Sequence, residues 1–163
     1  MVDITDKKHY GSGAFGHYFK LEDGTGIKVL YMHPANGAKT PDELKQWGIW
    51  QDAHGELACL QSVEKSGVTP RGLGVEVVKR GEEYFVGIRM EHIERNPFHK
   101  LYNMTYLRAC KIERALNARL QGKTGYYHGD LHPGNIIISG GSGKPIRLKM
   151  VDMGSRYVQP EAI

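Results

Sequence analysis

The sequence predicts an α+β fold made of two lobes, and three observations support this prediction. Short apolar runs separated by glycine-marked turns fill most of the first 95 residues, a pattern typical of an antiparallel sheet. The motif Asn96-Pro97-Phe98 then interrupts the chain, and a long helical pattern and the run Ile136-Ile137-Ile138 follow. We therefore assign residues 1–95 to an N-terminal lobe and residues 96–163 to a reduced C-terminal lobe.

The composition is that of an ordinary globular protein. The chain has 163 residues with a formal net charge of +4, which is too small to argue for nucleic acid, so we expect no nucleic-acid partner. No segment has the apolar length of a membrane span, and residues 1–6 lack the apolar core of a signal peptide. We expect a cytoplasmic protein without a membrane partner.

The first motif, Gly11-Ser12-Gly13-Ala14-Phe15-Gly16, has the spacing G-x-G-x-x-G. A dinucleotide-binding fold would continue with a helix, whereas strand patterns follow here at residues 18–21 and 26–31. The glycines allow backbone amides to approach phosphate oxygens closely, and Lys28 on the later strand could supply a cation for them. The alternative is a glycine-rich hairpin that carries a surface lysine.

A helix is predicted to begin at Thr40, because Thr40-Pro41-Asp42-Glu43 combines a capping box with proline at the first helical position. Apolar residues then recur at helical spacing: Leu44, Trp47, Trp50, Leu57 and Leu60. Gly48 and Gly55 weaken this helix and are expected to bend it.

Two further strands, at 73–79 and 83–90, are predicted to form a hairpin through the turn Arg80-Gly81-Glu82. In the second half we expect a helix from Met104 to about Gln121, ended by Gly122 and Gly125. Its apolar stripe consists of Ala109, Ile112, Leu116 and Leu120. Its cations are interpreted as a solvated face rather than a binding patch: Arg108, Lys111, Arg114 and Arg119.

The stretch from His128 to Asn135, with the sequence H-G-D-L-H-P-G-N, contains the main candidates for catalysis. Glycine and proline make it too irregular for a helix, and the isoleucine run behind it is predicted to be a buried strand. A loop held against a buried strand can present the carboxylate of Asp130 and the amide of Asn135 at fixed geometry. A returning strand at 146–151 then leads to a second acid, Asp152.

These motifs resemble those of kinase-fold enzymes over residues 10–156. H-G-D-L-H-P-G-N is similar to the catalytic loop of the aminoglycoside-phosphotransferase and RIO-like branches, and Asp152-Met153-Gly154 is similar to their D-F-G motif. The resemblance implies a bilobal protein-kinase-like fold in which Asp130 is the catalytic base. It also implies that Asn135 and Asp152 hold Mg²⁺, while the glycine hexapeptide and Lys28 bind ATP.

The resemblance implies further contacts to ATP in the N-terminal lobe. Glu56 would pair with Lys28, with Glu43 as a rival that capping already explains, and the alternative for Glu56 is a solvated helix charge. Residues 90–93 would form a hinge in which the carbonyl of Glu91 and the amide of Ile93 read the adenine edge. The alternative for this segment is an ordinary strand end.

Two histidines of the loop also receive roles from the resemblance. His128 matches the position just ahead of the base and is interpreted as a structural brace rather than an acid. His132 stands where many serine/threonine kinases have a lysine that contacts the γ-phosphate, so it is a third catalytic candidate. A histidine there is more similar to the small-molecule and atypical branches.

The chain also departs from the family pattern. Tyr18 replaces the usual valine after the glycine motif, so adenine packing is expected to differ. The chain stops soon after Asp152-Met153-Gly154, which implies a truncated large lobe without an activation segment or a helical substrate platform. It is either a natural minimal kinase, similar to some phage proteins and bacterial effectors that act in a host cell, or a fragment.

The sequence therefore predicts ATP- and Mg²⁺-dependent phosphotransfer, onto protein serine or threonine or by autophosphorylation. The alternatives are a small-molecule kinase of the aminoglycoside-phosphotransferase type and a nucleotide-binding pseudokinase that acts as an interaction module. The chain has the lysine, the glutamate, the base and both metal ligands that the resemblance implies, and this argues against a pseudokinase. The missing substrate platform argues for one. We also expect a protein acceptor or activating partner to cover the truncated C-terminal lobe near His132 and Tyr157.

Overall fold

The structure, a computed structural model, describes residues 1–13, 16–96, 104–141, 143–154 and 158–160. Within these ranges the strands are β1 Val2–Asp3, β2 Gly11–Gly13, β3 Gly16–Lys20, β4 Thr25–Leu30, β5 Gly72–Arg80, β6 Glu83–Glu91, β7 Tyr126–His128, β8 Ile136–Gly141, β9 Lys144–Met150 and β10 Val158–Pro160. The α-helices are α1 Pro41–Gln46, α2 Gly48–Val63 and α3 Tyr106–Thr124. Most strands pair in antiparallel fashion, and the helices lie in two segments between groups of strands, so the fold is α+β.

The chain divides into two compact units. The first contains Met1–Ala58 and Gly72–His92, and the second contains Cys59–Arg71 and Ile93–Ile163. The division after His92 lies close to the predicted division after residue 95. The sequence analysis placed residues 59–71 in the first lobe, whereas the structure places them in the second unit. Hydrogen bonds explain their assignment, since the amide of Met150 donates to Val68 O at 2.7 Å and Lys149 Nζ donates to Thr69 O at 3.1 Å.

A six-stranded sheet, in the order β1-β5-β6-β4-β3-β2, forms the frame of the first unit. Its strands pair in antiparallel fashion except for β1, which runs parallel to β5. One core cluster includes Phe19, Ile27 and Val29, and a second joins Ile88 of β6 to buried residues of the helical segment. The predicted hairpin is present, and Gly81 adopts a left-handed φ of 62° in its turn.

The helical segment of the first unit begins as predicted but is not one helix. The hydroxyl of Thr40 accepts a hydrogen bond from the amide of Glu43 at 3.1 Å, and the Glu43 carboxylate accepts one from the amide of Lys39 at 2.8 Å. The chain is then extended at Trp47, with φ −82° and ψ 148°, and α2 starts at Gly48. Glycine is a poor helix former, so the prediction of a bend becomes a break at Gly48, whereas Gly55 lies within α2.

The long helix α3 belongs to the second unit and starts two residues after the predicted position. It buries Ala109, Leu116 and Leu120, while Ile112 is half-buried. Gly125, at φ 75°, ends it and donates its amide to Gln121 O at 2.8 Å. Gly122 lies inside the helix, so the prediction that it contributes to the helix end was wrong.

Two strand pairs complete the second unit. Strand β7 pairs with β10, and β8 pairs with β9 as an antiparallel hairpin. The isoleucine run begins β8, with Ile136 and Ile138 buried. Within the described ranges, no helix combines the length and the hydropathy needed to cross a membrane.

Candidate active site

The lysine and glutamate that the sequence singled out are in contact. Lys28 lies on β4 between the buried residues Ile27 and Val29, and its Nζ is 2.6 Å from Oε1 of Glu56 on α2. Only 17% of each side chain is exposed. The predicted pairing is therefore present in the first unit, and the rival Glu43 is used in capping instead.

The glycine motif forms a hairpin at the edge of the same sheet. Residues Gly11 to Gly13 of β2 pair with β3 in antiparallel fashion. Ala14 and Phe15 lie outside the described residues. A Cβ at Gly16 would lie 2.3 Å from Val29 O, so only glycine lets β3 approach β4 this closely. A Cβ at Gly11 would meet nothing within 4 Å, so packing in the sheet does not require glycine there.

An aromatic cluster that the sequence did not predict joins the glycine hairpin to the end of β6. The ring of Tyr18 stacks on His92, with ring centroids 5.8 Å apart, and its hydroxyl is 3.1 Å from His92 Nδ1. Tyr10 meets the His92 ring edge-on at 5.0 Å. A Cβ at Gly26 would lie 1.7 Å from the Tyr18 hydroxyl, so the tyrosine ring occupies the space that a larger residue on β4 would need.

The two residues predicted to read the adenine edge, Glu91 and Ile93, lie on either side of His92 of this cluster. Glu91 is the last residue of β6, is half-buried, and lies opposite Thr25 of β4. Ile93 is buried and is the first residue of the second unit after β6. The adenine-reading roles of the Glu91 carbonyl and the Ile93 amide remain predictions.

In the second unit, the buried side chain of His128 contacts the main chain of the loop from His128 to Asn135. Its side chain is 2% exposed, and its Nδ1 accepts a 3.2 Å hydrogen bond from the amide of Asp130. Because Nδ1 accepts, the proton of the neutral ring lies on Nε2, which is 3.2 Å from Val151 O and donates to it. Burial lowers the pKa of His128, and this outweighs the opposing effects of the Val151 carbonyl and of Asp152 and Asp130.

A second support for the loop was missed by the sequence analysis. The side chain of Asn117 on α3 accepts a 2.8 Å hydrogen bond from the amide of His128 and donates a 3.2 Å hydrogen bond to its carbonyl oxygen. Asn117 follows Leu116 of the buried stripe. A polar residue next to the stripe was the only feature of the sequence that could have indicated this contact. This two-point contact fixes the end of β7 on the helix.

Asn135 links Asp130 to the strand that leads to Asp152. Its side-chain nitrogen donates a 3.0 Å hydrogen bond to Asp130 O. Its main-chain carbonyl oxygen accepts a 2.8 Å hydrogen bond from the amide of Val151. Pairing of Ile136 with Met150 in the β8–β9 hairpin sets this register. The hairpin thus joins the loop that carries the base candidate to the second acid, as the sequence predicted for the segment as a whole.

Asp152 has a backbone conformation that is uncommon for a residue with a side chain. Its φ is 61°, in the left-handed region, whereas the next residue, Met153, is buried at 2% exposure. Such positions cost roughly 1–3 kcal/mol and cluster at functional sites.

The residues fit a limited role in binding Mg²⁺. Because the Asn135 nitrogen is bonded to Asp130 O, its side-chain oxygen is the atom left for a cation, and Asp152 supplies a carboxylate. Oxygen ligands suit Mg²⁺, which proteins commonly hold by one or two such groups together with substrate phosphates. In the part of the chain that the structure describes, no group of three His, Cys, Asp or Glu residues could hold a metal by itself.

The two remaining predicted catalytic groups, Asp130 and His132, are both exposed. The hydrogen bonds described for Asp130 use its main-chain amide and carbonyl, so its carboxylate is not needed to hold the loop. His132 precedes the short 3₁₀ turn Pro133–Asn135, and its Nδ1 accepts a 3.1 Å hydrogen bond from the amide of Gly134. This capping contact leaves Nε2 as the atom through which His132 could act on a substrate.

No protein-family model matches the chain, and a comparison with curated proteins gives no match. A functional assignment therefore depends on the geometry of these residues.

Proposed function

We propose that this protein is an ATP- and Mg²⁺-dependent phosphotransferase with a kinase-like, bilobal arrangement. The observation that carries the proposal is the hydrogen-bonded path from Asp130 through Asn135 to Val151, the residue before Asp152. It holds a candidate base and two candidate oxygen ligands on one loop and hairpin, and phosphoryl transfer needs such a combination. The resemblance of these motifs to those of kinases supports the same function.

Each residue of the proposed machinery has a chemical role within its own unit. When bound, Mg·ATP supplies the phosphoryl group and neutralises part of its charge. Lys28 binds phosphate oxygens, and Glu56 holds the ammonium in place at 2.6 Å. Asn135 and Asp152 bind the cation, while Asp130, being exposed, accepts the proton of the attacking hydroxyl.

The remaining groups position these side chains. His128 is kept neutral by burial and holds the amide of Asp130, so it is proposed as a brace and not as an acid. The glycine hairpin and the Glu91 and Ile93 main chains are proposed to bind the nucleotide. The faces of Tyr10, Tyr18 and His92 are proposed to pack beside the base, in place of the usual aliphatic residue.

Serine or threonine of a protein is the proposed acceptor, supplied by a partner or by a second copy of the chain in the cytoplasm. A small hydroxylated molecule is the second candidate, because a histidine at position 132 is more similar to small-molecule kinases. Specific activity against protein concentration separates the two. Self-labelling that rises with concentration indicates a protein acceptor, whereas constant activity with a small acceptor indicates the second candidate.

Nucleotide binding is the first test of the proposal. We expect millimolar ATP to raise the melting temperature by about 2–8 °C when bound well above its Kd, with part of the rise requiring Mg²⁺. Asp152→Asn should remove most of the Mg²⁺-dependent part, whereas Asp52→Asn, an exposed acid of α2, should not. No shift for a folded wild-type sample would refute a nucleotide-dependent function.

A further inference from the structure

A groove that none of the roles above uses lies entirely within the second unit. Its volume is about 800 Å³, and it is bordered by α3, by the segment Gly67 and Val68, and by β9. Five cations line it: Arg108, Lys111, Arg119, Arg147 and Lys149. The described residues around it include no aspartate or glutamate.

The described hydrogen-bond partners of these cations carry no opposite charge. Arg119 Nε donates a 3.2 Å hydrogen bond to Ser66 O, and Lys149 Nζ donates one to Thr69 O at 3.1 Å. These carbonyl partners orient the two cations but carry no net charge. Among the residues that the structure describes, none of the five cations forms an ion pair with a carboxylate. The groove therefore offers a concentrated positive potential.

The remaining surface of the groove is largely apolar. Ile112 and Leu116 of α3 and Leu148 of β9 contribute to it, and Ile146 on the same strand is 60% exposed. An apolar side chain left this accessible gains free energy when a ligand covers it, at about 25 cal/mol per Å² of apolar surface. A ligand matched to the groove thus has both negative charges and apolar groups.

We propose that this groove binds an acidic, amphipathic segment of a partner protein, with apolar side chains on Ile112, Ile146 and Leu148 and carboxylates on the surrounding cations. An isolated phosphate would leave the apolar surface uncovered. Single-stranded nucleic acid is favoured by aromatic side chains for stacking, and the described lining has none. The groove is concave, which suits an inserted segment better than a flat lipid surface.

For three of the four cations on α3, the proposal favours the alternative of a binding patch over a solvated face. Arg108, Lys111 and Arg119 line the groove, whereas Arg114 is exposed on the same helix outside it. The contribution of Arg147 and Lys149 from β9 could not be inferred from the helix pattern. Arg114 therefore provides a control that has the same charge and the same helix.

The test measures binding of a fluorescein-labelled peptide to the full chain by fluorescence anisotropy. The probe is a peptide of about twelve residues with leucines at helical spacing (i, i+4, i+7) and glutamate at most other positions. We expect saturable binding that weakens as salt rises from about 0.05 to 0.3 M. The double variant Lys111→Glu/Arg147→Glu should weaken binding about tenfold or more, and Arg114→Glu should change it less than about twofold.

Further arms of the experiment separate the proposed ligand from other polyanions. A peptide with serine in place of leucine should bind at least about tenfold more weakly, and so should a single-stranded oligonucleotide of equal charge. Melting temperatures verify folding, and Lys111→Gln/Arg147→Gln replaces the charge reversal if that variant unfolds. No binding by the wild type, equal binding of the serine peptide or the oligonucleotide, or an equal loss in Arg114→Glu would overturn the proposal.

Discussion

Lys28 and Glu56 are 28 positions apart in the chain, yet their side chains meet at 2.6 Å and are each only 17% exposed. A mostly buried ion pair gains little stability over apolar residues, because both charges are removed from water. It does, however, fix an ammonium group at a defined place on β4. In the proposed function, this ammonium binds phosphate oxygens.

The first prediction concerns the energetic coupling of this pair. Lys28→Met and Glu56→Gln should each destabilise the first unit, because each leaves a poorly hydrated polar partner behind. The double variant should lose less than the sum of the two, with a coupling of about 1–3 kcal/mol in urea unfolding. The exposed pair Asp42 and Lys45, at 3.5 Å, is the control and should show much weaker coupling. Equal coupling in both pairs would contradict the interpretation that Lys28 and Glu56 form a buried ion pair with a fixed geometry.

The second prediction concerns the contact of Tyr18 with Gly26. Gly26→Ala places a methyl group 1.7 Å from the Tyr18 hydroxyl and should destabilise the protein by about 1–3 kcal/mol, as overpacking does. In a Tyr18→Val background the same substitution should cost less, because the ring is absent. Gly11→Ala, which meets nothing within 4 Å, is the control. An undiminished cost of Gly26→Ala in the Tyr18→Val background, measured by urea unfolding, would show that the ring is not the obstacle.

Local patterns were sufficient to predict most elements of this fold. The capping box at Thr40, the hairpin turn at Gly81 and the left-handed end of α3 at Gly125 each depend on residues within a few positions of one another. The same holds for the loop and hairpin of the proposed active site, where turn residues and an isoleucine run lie side by side. The break between α1 and α2 at Gly48 could not be predicted in this way, since the apolar residues keep their helical spacing across it.

Contacts between distant segments were not predictable in the same way. The stacking of Tyr18 on His92 and the clamp of Asn117 on His128 join elements whose register is set only by folding. The pairing of Lys28 with Glu56 was anticipated only because a family resemblance supplied it. The basic groove depends on cations from both α3 and β9, and no single stretch of sequence contains both.

The third prediction concerns pH. Burial lowers the pKa of His128 below its ordinary value of 6.5, so the folded state disfavours its charged form. Stability from this group is complete above pH 6.5 and is lost as pH falls below it, because the unfolded chain then binds more protons than the folded one. The slope from one such group cannot exceed about 1.4 kcal/mol per pH unit.

Urea unfolding between about pH 7 and pH 5 measures this slope before most carboxylates titrate. Burial also lowers the pKa of His17, so the comparison is made in a His17→Gln background. There, His128→Gln should be less stable at pH 7 but should show a flatter pH dependence. An unchanged slope would contradict the neutral, buried state of His128.

The most direct test of the proposed function is phosphoryl transfer by Asp130→Asn. The described hydrogen bonds of Asp130 use its main chain, so the variant should keep the fold and the affinity for ATP. With γ-labelled ATP and either the chain itself or a generic protein acceptor, the wild type should transfer phosphate. Asp130→Asn should transfer it about a hundredfold more slowly or worse, because the proton acceptor is lost. Asp6→Asn, an exposed acid near the N-terminus, should match the wild type. Equal rates in the wild type and Asp130→Asn, or ATP binding by the wild type without transfer to any acceptor, would contradict the proposal.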